Sequence, residues 1–192
     1  MRLALLFLLA AGVAGADPAA KALPRGDERF RLGMSRAAVE SLITARGVEM
    51  ISNGGTFLVC ASKDPRVEYE QYSFYIPGRG ISVLWKVSIG YRLTASQEDF
   101  AAVRADLSWE LGEPQSEAVD RPSPDGYGNA RPVTSAQVAW ADPHTAVQLG
   151  GRWVGSTDPV ADRMLVTWTD RKVQRLADVR RKKAREAADE SN

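Results

Sequence analysis

Apolar residues recur at helical spacing in three stretches of the chain and at every second position in most of the segments between them. The first helical stretch opens at Leu32-Gly33-Met34-Ser35, where Ser35 is suited to cap the free amides ahead of Val39, Leu42 and Ile43, and Gly47 stops it. Short apolar runs at 48–51 and 56–61 follow, joined by Ser52-Asn53-Gly54-Gly55, which tolerate the positive φ of a tight hairpin. In 70–76, Tyr72, Phe74 and Ile76 alternate with other residues, and Pro77-Gly78-Arg79-Gly80 turns the chain. Ile81, Val83, Trp85, Val87, Ile89 and Tyr91 then take every second position, with Ser82, Lys86 and Ser88 on the opposite face.

The pattern then restarts. Arg92-Leu93-Thr94-Ala95-Ser96 echoes Arg31-Leu32-Gly33-Met34-Ser35 at an offset of 61 residues, and Ser96 with Asp99 forms an acidic variant of the capping box. Phe100, Val103, Leu107 and Leu111 supply the second helical stripe, which Gly112 and Pro114 end. A short strand is predicted at 116–119, then a Pro/Gly-rich loop over 120–132, then strands at 136–141, 145–149 and 163–169. Asp142-Pro143 turns between the first two of these three. A last helix runs from about Asp170 towards Ala188.

Helix plus about four strands, twice, and then a helix implies an α+β fold. Strands joined by short turns pair antiparallel, and helices cover one face of such a sheet. About 60 residues alone bury too little apolar surface, so the two units are expected to share one sheet and one core. The expected organisation is a flexible lead-in (17–29), one α+β domain (30–170) of two repeats (30–91 and 92–170), and a basic C-terminal helix or tail (171–192).

Ahead of these lies an export signal. Met1 and Arg2 form a positive n-region, residues 3–11 an apolar stretch, and Ala14-Gly15-Ala16 a small-x-small cleavage site before Asp17. The apolar run over 3–16 is 14 residues, short of the roughly 20 that span a bilayer, so the pattern predicts a signal peptide cleaved after Ala16. No other stretch is long and apolar enough to span. The mature protein is expected to be soluble, and periplasmic or secreted.

Composition narrows the chemistry. The 192 residues include one cysteine and one histidine, which excludes intramolecular disulfides, multi-thiolate zinc sites and multi-histidine metal centres. No cofactor or metal is implied. Cleavage removes one of the 25 basic residues, Arg2, leaving 24 against 24 acidic ones, yet the charge is uneven. Eight basic side chains between Arg171 and Arg185 face one acid, Asp178, so Arg180, Arg181, Lys182 and Lys183 could touch an anionic envelope surface or simply solvate a helix. Export argues against a nucleic-acid partner.

Leu32-Gly33-Met34-Ser35 opening one helix, Leu111-Gly112-Glu113-Pro114 closing another, and the strands of Trp140 and Trp168 together resemble two groups of small proteins. These are the bacterial outer-membrane assembly lipoproteins of the SmpA/OmlA type and the β-lactamase inhibitor protein fold. The likeness covers the architecture of residues 30–170. It implies a protein that binds other proteins or envelope components and does not catalyse. The chain lacks the lipidated cysteine of the first group, having Asp17 after the cut, and the disulfides of the second.

Cys60 and His144 are the one possible thiol–imidazole pair of an exported hydrolase. Cys60, however, ends the apolar run Phe57-Leu58-Val59 and reads as a small buried hydrophobe, and His144 follows Asp142-Pro143 as a turn or surface residue. Glu68 and Glu70, two apart, would share one strand face, as a carboxylate pair or a solvated edge. Gly78-Arg79-Gly80 and Gly150-Gly151 read as turns. Trp85, Trp140 and Trp168 read as core, and Trp109 as covering the edge of its helix. Arg152 and Trp153, in a glycine-rich setting, form either an exposed anchor or a Trp folded onto the sheet. Arg121, Tyr127 and Arg131 make the 120–132 loop a second candidate binding element. The sequence thus points to an exported, non-catalytic binding protein of the bacterial envelope that displays loops to a partner, with a small hydrolase using Cys60/His144 or Glu68/Glu70 as the alternative.

Overall fold

The computed structural model describes residues 22–77, 80–92, 96–124, 132–153 and 163–189; the segment expected to be a signal peptide lies outside them. A two-stranded ribbon, β1 (Gly26–Asp27) and β2 (Phe30–Arg31), precedes helix α1 (Arg36–Arg46). A meander follows: β3 (Met50–Asn53), β4 (Phe57–Cys60), β5 (Val67–Tyr75) and β6 (Val83–Tyr91). Helix α2 (Ser96–Leu111) leads into the second meander of β7 (Ser116–Pro124), β8 (Pro132–Ala141), β9 (Thr145–Trp153) and β10 (Arg163–Asp170), and α3 (Arg171–Asp189) ends the described chain. Among the described residues no helix is long and apolar enough to cross a membrane.

The α1 boundaries follow from its end residues. Ser35 Oγ accepts from the Ala38 N–H at 3.3 Å, and Gly47, at φ +61°, returns its N–H to the Thr44 carbonyl at 2.9 Å. All eight larger strands form one antiparallel sheet in the order β3-β4-β5-β6-β10-β9-β8-β7. The last strand of each meander pairs with the last strand of the other, with Val166 opposite Ile89 and Trp168 opposite Val87. The first strand of each becomes an edge. The two units do share one sheet, and the fold is α+β.

One face of this sheet carries the core. Leu58, Tyr72, Leu84, Val87 and Ile89 from the first meander meet Val138, Trp140, Val147, Leu149, Val166 and Trp168 from the second. Val39 and Ile43 of α1, Phe100, Val103, Leu107 and Leu111 of α2, and Phe30 of the ribbon close over them. Phe30 contacts Tyr72 and Trp168 edge-on, with ring centroids 6.3 and 5.8 Å apart, and so bridges β5 and β10. The Trp140 indole N–H reaches the Gly112 carbonyl at 2.8 Å, tying the end of α2 to β8.

Several expectations need correction. Trp85 does not join the core: Ser73 pairs with Lys86 and Phe74 with Leu84, so Trp85 is the extra residue of a β-bulge. The alternation slips by one there. Leu84 takes the core position, and Trp85 stands half-buried on the opposite face. Trp109 is 92% exposed and covers nothing. The strand predicted at 116–119 extends to Pro124 and its partner begins at Pro132, so the expected 120–132 loop is partly hairpin.

From residue 22 onward, the lead-in expected to be flexible is docked. Leu23 is buried and donates its N–H to Asp142 Oδ2 at 2.7 Å, and Arg25 pairs with Asp170 at 2.5 Å. A chain starting at Phe30 should therefore be less stable than one starting at Asp17. The loss of Leu23 burial alone is worth about 1.5–3 kcal/mol and should lower the melting temperature by several degrees. Equal melting temperatures in a calorimetric scan would show the segment to be passive.

Candidate functional site

Among the described residues three acids are buried: Asp142 in the β8–β9 turn, Asp170 at the end of β10, and Glu70 in the body of β5. A bulge between Val67 and Tyr69 resets the alternation of β5, which leaves Glu68 exposed and Glu70 1% exposed on the core face. The two carboxylates do not converge. Arg46, in the last turn of α1, holds Glu70 with two bonds of 2.8 Å, while Tyr72 Oη donates at 2.5 Å and Ser62 Oγ at 2.8 Å. Cys60 Sγ lies 3.9 Å from the same carboxylate, and the Arg29 guanidinium also 3.9 Å away.

This network opposes catalysis by either group. Burial pushes the Glu70 pKa upward, but the bonds from Arg46, Tyr72 and Ser62 and the charge of Arg46 outweigh it, so the carboxyl sits below its ordinary value. A general acid or base needs a pKa near the working pH and a free lone pair for substrate, and Glu70 offers neither. Burial, then the Glu70 charge, push the Cys60 thiol up to about 11, so at neutral pH it is a protonated thiol with 0% exposure. His144 lies exposed in the turn after β8, its backbone N–H bonded to Asp142 Oδ1 at 2.7 Å. Four strand spacings separate β4, which carries Cys60, from β9, roughly 19 Å and far beyond hydrogen-bond reach.

Trp153 takes the folded-back alternative. It is buried on the core face of β9, in phase with Val147, Leu149 and Gly151, and its ring packs 5.5 Å from that of Phe100 on α2. Gly150-Gly151 is strand and not turn. A Cβ on Gly151 would come within 2.5 Å of the Trp153 ring and 2.7 Å of Phe100, so glycine there makes the room they occupy. Arg152, one residue out of phase, is exposed on the opposite face. Arg121 is placed on β7 by its backbone, and Tyr127 and Arg131 lie outside the described residues.

The opposite face of the sheet, away from α1 and α2, carries the other candidate. Here α3 lies across strands β5, β6, β10 and β9 without sealing them, leaving a groove of about 880 Å³. Its sheet side presents Trp85, Lys86, Gln148 and Thr167; its helix side presents Arg180 and Arg181. Asp170 Oδ1 caps α3 by accepting from the Val173 N–H at 3.0 Å. The Arg171 guanidinium donates to the Asp142 carbonyl at 2.6 Å, and Arg180 donates to the Ile76 carbonyl at 3.1 Å. Along the same helix Arg181 pairs with Asp178 at 2.8 Å and Lys182 with Glu186 at 3.8 Å. Lys86 has no ion-pair partner among the described residues. Among the described residues no Asp or Glu lines this groove.

A second cleft, about 760 Å³, lies over the Glu70 network between the β1–β2 turn and α2. Its charges are mixed and largely paired: Arg29 with Asp27, and Arg66 with Asp64 at 3.1 Å and Asp106 at 3.5 Å. No group of three potential metal ligands occurs among the described residues. The groove escapes a reading of the sequence because Trp85 is in core phase until the bulge moves it.

Arg46→Ala should leave buried Glu70 with the more distant Arg29 guanidinium as its cation, at a cost of up to about 3–5 kcal/mol, lowering the melting temperature by on the order of 10 °C. Because the folded-state pKa of Glu70 is depressed, its contribution is complete above the unfolded carboxyl pKa, near about 4.3, and fades as pH falls through the lower folded value. Stability measured against pH should lose part of that acid limb in Glu70→Gln. Cys60 should resist an aromatic disulfide reagent at neutral pH until the chain unfolds; rapid native reaction would contradict its burial. No family model and no curated protein matches the chain.

Proposed function

We propose that this chain is an exported, non-catalytic binding protein of the bacterial cell envelope, and that its binding surface is the groove between the open sheet face and α3. One observation carries this reading: three cationic side chains, Lys86, Arg180 and Arg181, line the groove beside Trp85 with no carboxylate among them. What sets this groove apart from the second cleft, whose cations stand among acids, is that its described lining is cationic without acids, which favours an anionic partner. The signal-peptide pattern of residues 1–16 supports export, and the likeness to envelope binding proteins agrees with it. The engaged state of Glu70 and the protonated thiol of Cys60 give the hydrolase alternative no support.

The groove takes over the role first assigned to the loops. Trp153 is spent in the core, and an indole with 7% exposure cannot anchor a partner. Trp85, half-buried, lines the groove with Tyr75 beside those cations.

Expressed with its own amino terminus in a Gram-negative host, the protein should be recovered from the periplasm or medium with Asp17 as its first residue, read by intact mass. It should co-sediment with isolated envelope fractions at low salt and release at high salt. Replacing both Arg180 and Arg181 by Glu should abolish that association with little change in melting temperature. Undiminished or salt-insensitive association of the variant would remove the groove as the binding surface.

A further inference from the structure

Resting on the groove as the binding surface, we propose that its ligand is an acidic glycan: a chain of sugar rings bearing carboxylates, with a ring seated on Trp85 and carboxylates held by Lys86 and Arg181.

Trp85 is the starting point. Burying an indole is among the larger apolar gains open to a chain, and strict alternation would place this one in the core with Val87 and Ile89. The bulge opposite Ser73 and Phe74 instead turns it onto the opposite face, where Tyr75 and the polar side chains of Gln71, Ser73, Lys86, Gln148 and Thr167 also stand. Bulges re-aim side chains in this way beside binding sites. A flat, half-buried aromatic among hydrogen-bonding neighbours suits a sugar ring, whose C–H face is apolar and whose rim is polar.

The neutral part of the lining fits that rim. Gln148 and Gln174 each bring two amide donors and a carbonyl acceptor, and Ser73, Thr167 and Thr169 bring hydroxyls. Vicinal sugar hydroxyls donate and accept together and are matched by such groups. The cations add the anionic requirement: Lys86 is unpaired among the described residues, and Arg181 shares its guanidinium with Asp178 outside the groove lining. A volume of about 880 Å³ falls within the range of ligand pockets.

An acidic polypeptide fits less well. Extended peptides bind sheets by adding a strand to an edge, through main-chain hydrogen bonds. The floor here is β5, β6, β10 and β9, each already paired on both sides, so it offers side chains alone.

Calorimetric titration of the mature chain with an oligogalacturonate tests this, with a neutral malto-oligosaccharide, an oligoglutamate and an oligothymidylate as comparators. The acidic sugar should bind more tightly than all three. Trp85→Ala should weaken it about tenfold or more, the loss expected of an aromatic anchor. The double variant Lys86→Gln, Arg181→Gln should weaken it and flatten its salt dependence, and it decides the matter if Trp85→Ala fails to fold. Equal affinity for oligoglutamate or oligothymidylate, or indifference to these variants, overturns the glycan assignment and leaves an unselective anion groove. Binding of none of the probes also overturns it. The groove itself falls only if the Arg180/Arg181 charge reversal keeps its envelope association.

Discussion

The ladder between β6 and β10 holds this protein together. A helix-plus-meander unit of this size is marginal alone, and pairing the last strands of the two meanders merges their inner faces into one continuous core. Val87, Ile89, Val166 and Trp168 lie along that seam, all but sealed from water. Phe30 crosses it, touching Tyr72 on one side and Trp168 on the other, so a residue of the β1–β2 ribbon ties together β5 and β10, which the sequence separates by a helix and four strands. Because the seam is central, the opening strands β3 and β7 are left as the edges.

The position of the core decides where function can sit. The ribbon, α1 and α2 all bury their apolar residues against the same face, which uses up the apolar cover the chain has. The other face receives α3, whose exposed side chains are mostly charged and whose Leu176 and Val179 remain about half exposed. A helix of that composition cannot close a dry interface with a sheet, because burying lysine and arginine without partners costs too much. It stands over the sheet as one wall of a groove, anchored at its start by Asp170 and Arg171.

The Glu70 network serves the opposite purpose. Burying a carboxylate is costly, and here every strong donor within reach is enlisted to offset it: the Arg46 fork, the Tyr72 hydroxyl and Ser62. The arrangement pins the end of α1 to the middle of β5 and to the loop after β4, and only one packing of that helix satisfies all the partners at once. The acid and thiol that looked like candidate chemistry are parts of a structural joint.

Much of the fold is legible in local chemistry. Ser35 and Gly47 mark the ends of α1, the stripe from Phe100 to Leu111 marks α2, Asp142-Pro143 marks the β8–β9 turn, and alternation marks β9 and β10; these signals act between near neighbours in the chain. What could not be read are the two bulges of the β5–β6 pair, at Val67/Tyr69 and at Ser73/Phe74. A bulge is set by the register of two strands against each other and by what must be packed or paired on each face, which no window of sequence contains. The first slip takes Glu68 off the core face and leaves Glu70, in phase with Tyr72 and Phe74, as the acid beside Arg46; the second puts Trp85 outside beside Lys86. Apart from the β1–β2 ribbon, the elements and their class were therefore determined by sequence alone, through capping and periodicity, whereas tertiary pairing decided which side chains reach the core and which face the groove.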